Sequence, residues 1–346
     1  MIVNYDIKDI IKDEHLGLDQ ELLDNYTLED LDEESILEYK EIIHKQNIFK
    51  RYNKMNDLSF LTELGVFKVD RNDNRKRKLT LGGLLFLGKE EAIKSKLSHF
   101  HLDYFDKRFN NNCWADRVST GDLNYPNLNL FKYYKIVYKK LENTISSFKE
   151  NDFFDEKIIA DLKEVIREAL VNTLIHAEYV ESNISIRVCV SKFCYSFQNP
   201  GSMQISQNQF FMGGKSRPRN NTLVRYFRQM GLSKRAGVGG EDIFRLIRRN
   251  NFKLPKIESE DKITILRLWI KRIEDCYLDL SNKERDVYLI IENSAYISKK
   301  AIMVLSEYEK EEIKRILEGL LEKKYIEKEK IHGKNRYYKN YNKLEN

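Results

Sequence analysis

Glu168, Asn172 and His176 stand four residues apart in "REALVNTLIHAEY", Arg167 to Tyr179. At this spacing on an α-helix, side chains are offset by only ~40°, so the three share a stripe about 12 Å long and can face one ligand. Val165, Leu170, Val171, Leu174 and Ile175 occupy the rest of the turn and supply a buried side. An ordinary helix whose polar edge meets water has the same pattern. The flanking sequence favours the ligand reading. "NPGSM", Asn199 to Met203, follows a strand pattern and contains Gly201, whereas "GVGGEDIF", Gly237 to Phe244, opens a helix with Gly237, Gly239 and Gly240. Glycines at a helix start let the backbone approach an anion and aim N–H groups at it. Between the two loops, "GGKSRPRN" adds Lys215, Ser216, Arg217 and Arg219, donors suited to phosphate oxygens.

These residues need a scaffold, and the hydrophobic pattern supplies one. A helix over 161–178 leads into "NISIRVCV" and "KFCYSFQN", alternating strands that make a hairpin near Ser191 and Lys192. A glycine- and asparagine-rich loop starts at Asn199, helices follow over "NTLVRYFRQMGL" and "EDIFRLIRRNN", and "KITILRLWI" is a closing strand. One amphipathic helix across an antiparallel sheet, with glycine loops at its end, is an α+β sandwich.

Four segments are expected. Residues 1–55 form an acidic helical segment that includes "DEESILEYKEIIHKQN". Residues 56–154 form an α/β connecting domain: a helix ending near Gly65, the basic turn "DRNDNRKRK", the apolar "LTLGGLLFLG", a strand in "LSHFHLDYFDKRF" and a helix over "LNLFKYYKIVYKKLENTISSF". Residues 155–275 carry the glycine loops. Residues 280–346 place three helical stretches before a two-strand turn in "YIEKEKIHGKNRYYK", the order of a winged helix.

Composition bounds the function classes. The 346 residues are 41% hydrophobic and 33% charged, with a net charge of +6 that permits nucleic-acid contact without arguing for it. The chain contains neither a long apolar run nor a secretory leader, which implies a cytoplasmic protein with no membrane association. Its four cysteines lie in no CxxC pair and read as reduced, mostly buried thiols. His99, His101 and Asp103 share one face of a strand, a metal-site pattern that lacks a fourth ligand. Trp114 reads as a packing anchor rather than a ligand platform.

The ordered set "EALVNTLIHAEY", "NPG", "SRPRN" and "GVGG" resembles the GHKL (Bergerat-type) ATPase fold of gyrase B, MutL and sensor histidine kinases. The closer resemblance is to the RecG-like C-terminal, Schlafen-associated (AlbA-linked) branch, over about residues 55 to 340. It implies ATP and Mg²⁺ as ligands. Glu168 matches the carboxylate that polarises the attacking water in hydrolysing members. Asn172 matches the residue whose side-chain oxygen binds the Mg²⁺ bridging the phosphates, and His176 would lie near the phosphates or the second glycine loop. Gly201 belongs to the first glycine box; Gly237, Gly239 and Gly240 match the second. Ser216, Arg217 and Arg219 belong to the signature of the closer branch. Asn199 departs from the pattern, replacing an aspartate that accepts a hydrogen bond from the adenine amino group. An amide oxygen still accepts, but an amide NH₂ favours another base.

The implied function is an ATP/Mg-binding regulator that couples the pocket to a winged helix, in transcriptional control or antiviral defence, with ATP hydrolysis as the candidate activity. Lys328, Lys330, Lys334 and Arg336, beside Tyr337 and Tyr338, suit contact with a double-stranded DNA backbone, whereas the acidic start "EYEKEEIKR" of the expected recognition helix repels it, so weak, wing-led DNA binding and protein–protein docking are equal expectations for this unit. About 55 residues precede the shared region, too few for the AlbA-like domain usual in this branch, so the chain is either a short-form relative or works with a separately encoded partner; the resemblance also implies a homodimer, since many GHKL proteins dimerise. The alternative is a nucleotide-independent DNA-binding or scaffolding protein with a vestigial pocket.

Overall fold

The computed structural model describes residues 17–45, 55–109, 113–150, 154–214, 217–232, 238–260, 262–272, 277–294, 296–331 and 333–340. Ser216, Gly237 and Cys276 lie outside them. Two compact units emerge: residues 1–190, 195–250 and 254–268, and residues 191–194, 251–253 and 269–346. Among the described residues, no helix is long and apolar enough to cross a membrane.

The first unit opens with β1 (Leu22–Leu23), α1 (Glu33–Lys45), α2 (Asp57–Leu64), β2 (Phe67–Val69), β3 (Arg77–Thr80), α3 (Leu81–Leu87) and α4 (Glu90–Lys96). It continues with β4 (Leu102–Asp106), β5 (Asp116–Ser119), α5 (Leu130–Glu150), α6 (Glu156–His176), β6 (Ile186–Val190) and β7 (Cys194–Pro200). Then come α7 (Gln207–Met212), α8 (Asn221–Gln229), α9 (Gly239–Arg249), β8 (Lys256–Glu260) and β9 (Ile263–Trp269). Residues 17–31 differ from the helical expectation: 3₁₀ turns at Leu18–Gln20 and Leu28–Asp30 flank β1, the second held by a Thr27–Asp30 capping box.

Six strands form one sheet in the order β5-β4-β6-β7-β9-β8, and β1-β3-β2 form another. The large sheet is mixed, not antiparallel as expected, because β4 and β6 run parallel with Leu102 opposite Ile186. Parallel neighbours need a crossover connection, and α5 and α6 lie between these two strands in the chain. The sheet therefore draws strands from both sides of the boundary placed at 154/155. Tyr104, Val118, Val188 and Phe197 are in register on its buried face. Tyr195 Oη on that face meets Thr144 Oγ1 of α5 at 2.9 Å.

A buried aromatic cluster ties the N-terminal helices to the rest of the first unit. Phe86 of α3 lies 5.2 Å from Tyr39 of α1, 5.6 Å from Phe131 of α5 and 5.0 Å from Tyr226 of α8, ring centroid to centroid. Tilted and edge-to-face pairs of this kind add to the area they bury.

The helix bearing the polar stripe starts earlier than expected, because Asp155 accepts from the Ile158 N–H at 2.8 Å as N-cap. Ile159, Leu162, Val165, Ile166, Ala169, Leu170 and Leu174 form its buried side. At its C-terminus, Asn220 Nδ2 donates to the carbonyls of Ile175 at 3.1 Å and Ala177 at 2.7 Å, and Arg219 Nη1 donates to that of His176 at 3.0 Å. Carbonyls that a helix end leaves without partners are thus satisfied from 43 to 45 residues away.

A second long-range cap supports the first. Asp19, 1% exposed, accepts through Oδ2 from the backbone N–H groups of Thr222 at 2.6 Å and Leu223 at 3.1 Å, at the start of α8. Replacing Asp19 by Ala should lower stability by about 1 kcal/mol in urea unfolding; Asp19→Asn, which keeps an acceptor oxygen, should cost less. Burial raises the Asp19 pKa against the lowering effect of those two N–H donors. The stability linked to its titration is therefore fully present below the unfolded pKa and lost as pH rises through the higher folded value, a slope, superimposed on the cap, that Asp19→Asn removes.

The second unit contains α10 (Asn282–Glu292), β10 (Ile297–Ser298), α11 (Lys299–Ser306), α12 (Lys310–Glu322), β11 (Ile326–Ile331) and β12 (Lys334–Lys339), with sheet order β10-β12-β11. Val287, Ile291, Ile302, Ile313, Leu317 and Leu320 make its core. Three helices precede a two-stranded ribbon as expected; the short β10 joins the ribbon through Ile297 opposite Tyr337.

Candidate functional site

The α6 stripe opens onto a cavity of about 60 Å³ at the end of the large sheet. Five residues singled out in the sequence line it: Asn172, His176, Asn199, Arg217 and Arg219. Met203, Ile205, Phe210, Ile257 and Leu266 give it an apolar wall. An apolar wall with a few convergent polar groups is the usual character of a small-molecule site. The loop after β7, α7, and the β8–β9 hairpin contribute that wall.

Glu168 stands beside the cavity rather than on its lining. Asn172 Nδ2 donates to Glu168 Oε1 at 3.2 Å, which fixes one carboxylate oxygen and leaves the Asn172 amide oxygen without a protein partner among the described residues. On its other side Glu168 meets the glycine loop: a Cβ on Gly239 would overlap its carboxylate, and one on Gly240 would overlap the Phe210 carbonyl oxygen. Here glycine is required for close approach. Burial raises the Glu168 pKa, and nearby Asp242 and Glu164 add to the shift against the opposing Arg167 and Asn172.

His176 is the opposite case. Desolvation, with a smaller contribution from the Arg219 guanidinium, lowers its pKa to about 4, so at neutral pH it is an uncharged imidazole. It can hydrogen-bond a ligand but brings no positive charge to a phosphate.

Asn199 is buried at the end of β7, and its Nδ2 lies 3.0 Å from the Pro200 carbonyl oxygen. That carbonyl can only accept, so the amide nitrogen is the atom committed to it and Oδ1 remains as an acceptor. Gly201 follows with φ +95, and a Cβ there would lie 2.8 Å from Arg219 Cζ. Thr264 Oγ1 donates to the Gly201 carbonyl at 2.7 Å.

Arg219 lines the cavity with its guanidinium already engaged. Besides the His176 carbonyl it donates to Ser202 O at 2.7 Å and lies 3.7 Å from Glu178. It clamps the end of α6 to the first glycine loop. Arg217 reaches the cavity from an exposed position. Gly239 and Gly240 form the first turn of α9, which has no side-chain cap, so its leading N–H groups are the natural anion donors. Glu241 and Asp242 occupy the same turn.

Sequence reasoning missed the apolar wall, α7 and β8. The signal for α7 was present, since Ser206 and Gln209 form a capping box. In "KIESEDKITI" the alternation that buries Ile257 indicated β8.

The remaining candidates lie elsewhere. His101 Nε2 is 3.2 Å from Asp103 Oδ2, and His99 is exposed; among the described residues no group of three or more His, Cys, Asp or Glu could hold a metal. Trp114 is 53% exposed rather than packed away. Cys113 is exposed and Cys189 half-buried, so only Cys194 fits the expectation of buried thiols among the three described. The four basic residues of the β11–β12 ribbon divide between its faces. Lys328 stands opposite Tyr337 and Lys330 opposite Asn335, whereas Arg336 stands opposite Glu329 and Lys334 opposite Ile331 on the other face.

Residues 165–268, which build the cavity, match the family described as "Putative ATP-dependent DNA helicase recG C-terminal" (HATPase_c_4). Residues 8–103 match a "Domain of unknown function (DUF8451)". No curated protein matches the chain significantly. The crystal structure of the DIP2311 protein from Corynebacterium diphtheriae is similar in fold, with a TM-score of 0.54 and 15% identity over 96% of this chain. The match spans 66% of that protein's length.

Proposed function

We propose that residues 155–275 bind ATP with Mg²⁺ in the cavity beside α6, and that the chain is a regulatory protein whose C-terminal unit, read as a winged helix, responds to that binding. The convergence of Asn172, His176, Asn199, Arg217 and Arg219 on one cavity within the HATPase_c_4 segment carries this reading. The Asn199 Oδ1 acceptor suits the amino group of adenine better than the carbonyl of guanine, and Met203, Ile205, Phe210 and Ile257 supply apolar surface for the ring. Phosphates would meet the start of α9 and Arg217.

The amide oxygen of Asn172, left over after the bond to Glu168, suits a hard cation that takes most of its ligands from phosphates and water. When bound, Mg²⁺ supplies neutralisation of phosphate charge. In hydrolysis, Glu168 accepts the proton of the water that attacks the γ-phosphorus, ADP leaves, and inorganic phosphate forms. A carboxylate with a raised pKa is the stronger base for that step.

The cavity is smaller than the ~300–1,000 Å³ of sites that engulf a ligand, so entry requires its wall, the loop after β7 and α7, to move outward. That motion is the difference between states that nucleotide would exploit, since a ligand shifts an equilibrium only by its preference for one state. The small cavity also favours the rival reading, a DNA-binding or scaffolding protein that no longer uses nucleotide. Thermal melting separates them. ATP with Mg²⁺ at about 100-fold above Kd should raise Tm by about 5 °C, with GTP weaker; no shift with any nucleotide at millimolar concentration supports the rival.

A further inference from the structure

We propose that the face of the six-stranded sheet opposite its buried core binds single-stranded nucleic acid, stacking bases on Phe105 and Trp114 and pairing phosphates with Lys107, Arg117 and Arg187. Register brings Phe105, Arg117 and Arg187 together, and ring distances add Trp114 and Lys107. Phe105 stands opposite Arg117 on β5 and Cys189 on β6, and Asp103 stands opposite Ser119 and Arg187. Side chains alternate across a strand, so all project away from the face that carries Tyr104, Val118 and Val188.

The face is open, with Trp114 53% exposed and the Arg187 side chain 49% exposed. Its aromatic rings are set among cations: Arg117, Lys107 and Arg187 lie 5.5, 5.8 and 5.9 Å from the Phe105 centroid. Trp114 is 5.6 Å from Phe105, tilted by 50°, and 5.5 Å from Arg117. An exposed Trp114 and a half-buried Phe105 beside guanidinium groups on a sheet face make the kind of stacking platform that single strands use.

The charge balance suits an anion. Asp103 is the carboxylate within the patch, and it is buried and enclosed by His101 at 3.2 Å, Ser119 at 2.8 Å, Arg117 at 3.6 Å and Arg187 at 4.0 Å. Burial alone would raise its pKa, but those partners outweigh burial and hold it below the usual carboxylate range. Asp106 and Asp116 alternate to the other face, where Arg108 and Lys140 pair with them. A duplex hides its base faces from such rings, and the interleaved cations interrupt the continuous apolar surface that a protein partner would cover. Base stacking and phosphate pairing do not depend on the sugar, so DNA and RNA strands should bind alike.

The test uses the full chain and fluorescein-labelled oligothymidylate and oligouridylate of about 12 nucleotides, with a duplex of equal length, at ~50 mM salt. The expected result is comparable binding of both single strands, weaker duplex binding, and affinity that falls as salt rises. Quenching of intrinsic fluorescence should report Trp114, because Trp269, the other tryptophan, is 6% exposed. Phe105→Ala and Arg187→Glu should each weaken binding about tenfold or more, Phe105→Tyr should retain it, and Lys45→Ala, at an exposed position of α1 away from this face, should leave it unchanged. Melting curves confirm that each variant is folded. Absence of single-strand binding, duplex binding as tight as single-strand binding, or affinity indifferent to Phe105→Ala and Arg187→Glu in folded protein overturns the proposal.

Discussion

Replacing Glu168 by Gln is expected to lower ATP turnover by at least about a hundredfold while leaving ATP affinity intact. The introduced amide would keep an oxygen for the Asn172 Nδ2 bond, now 3.2 Å, and would fill the same space beside Gly239. What it loses is the ability to take a proton from water. The substitution also relieves repulsion from Asp242 and Glu164, which help raise the Glu168 pKa, so the variant should be no less stable than the parent at neutral pH. Because the working form is the ionised carboxylate and its pKa is raised, activity should decline on acidification at a higher pH than an ordinary glutamate would give. Turnover by Glu168→Gln equal to that of the parent would assign the base elsewhere.

The glycine loop gives the second large effect. A Cβ at position 240 would overlap the backbone carbonyl of Phe210, and backbone cannot turn aside. Gly240→Ala must therefore separate α7 from α9, at a cost of about 1–3 kcal/mol, the range for overpacking a close contact. Thermal melting should show the loss, together with an altered Tm response to ATP because the wall that must move to admit ligand is already displaced. Gly239→Ala differs instructively. Its Cβ would meet the end of the Glu168 side chain, which can rotate away, so stability should suffer less while turnover falls because the base has left its position. Equal behaviour of the two variants would mean that the contacts on α9 do not have these separate roles.

How much of this was legible depends on the range of each interaction. The stripe on α6, the hairpin of β6 and β7 and the three helices before the C-terminal ribbon follow from local periodicity, and all are present. The parallel pairing of β4 with β6 was not legible, because it joins segments about 80 residues apart and no local pattern encodes it. The same holds for Asp19 at the start of α8 and for Arg219 and Asn220 at the end of α6. Arg219 shows the limit most clearly. An arginine in a glycine-rich loop suits phosphate by chemistry, yet in the fold its donors meet carbonyls that the end of α6 left open. Asn199 shows the converse: its identity left the base undecided, and in the fold the neighbouring Pro200 carbonyl takes one N–H of its amide while Oδ1 stays an acceptor.

Calorimetric titration of the wild-type chain and Asn199→Leu with ATP and Mg²⁺ tests the central claim most directly. Saturable binding at one site is expected in the wild type, with affinity lower by about tenfold or more in the variant, where a buried acceptor is missing opposite the adenine amino group. Identical titrations for the two proteins, or no heat from the wild type at millimolar ATP, would contradict it.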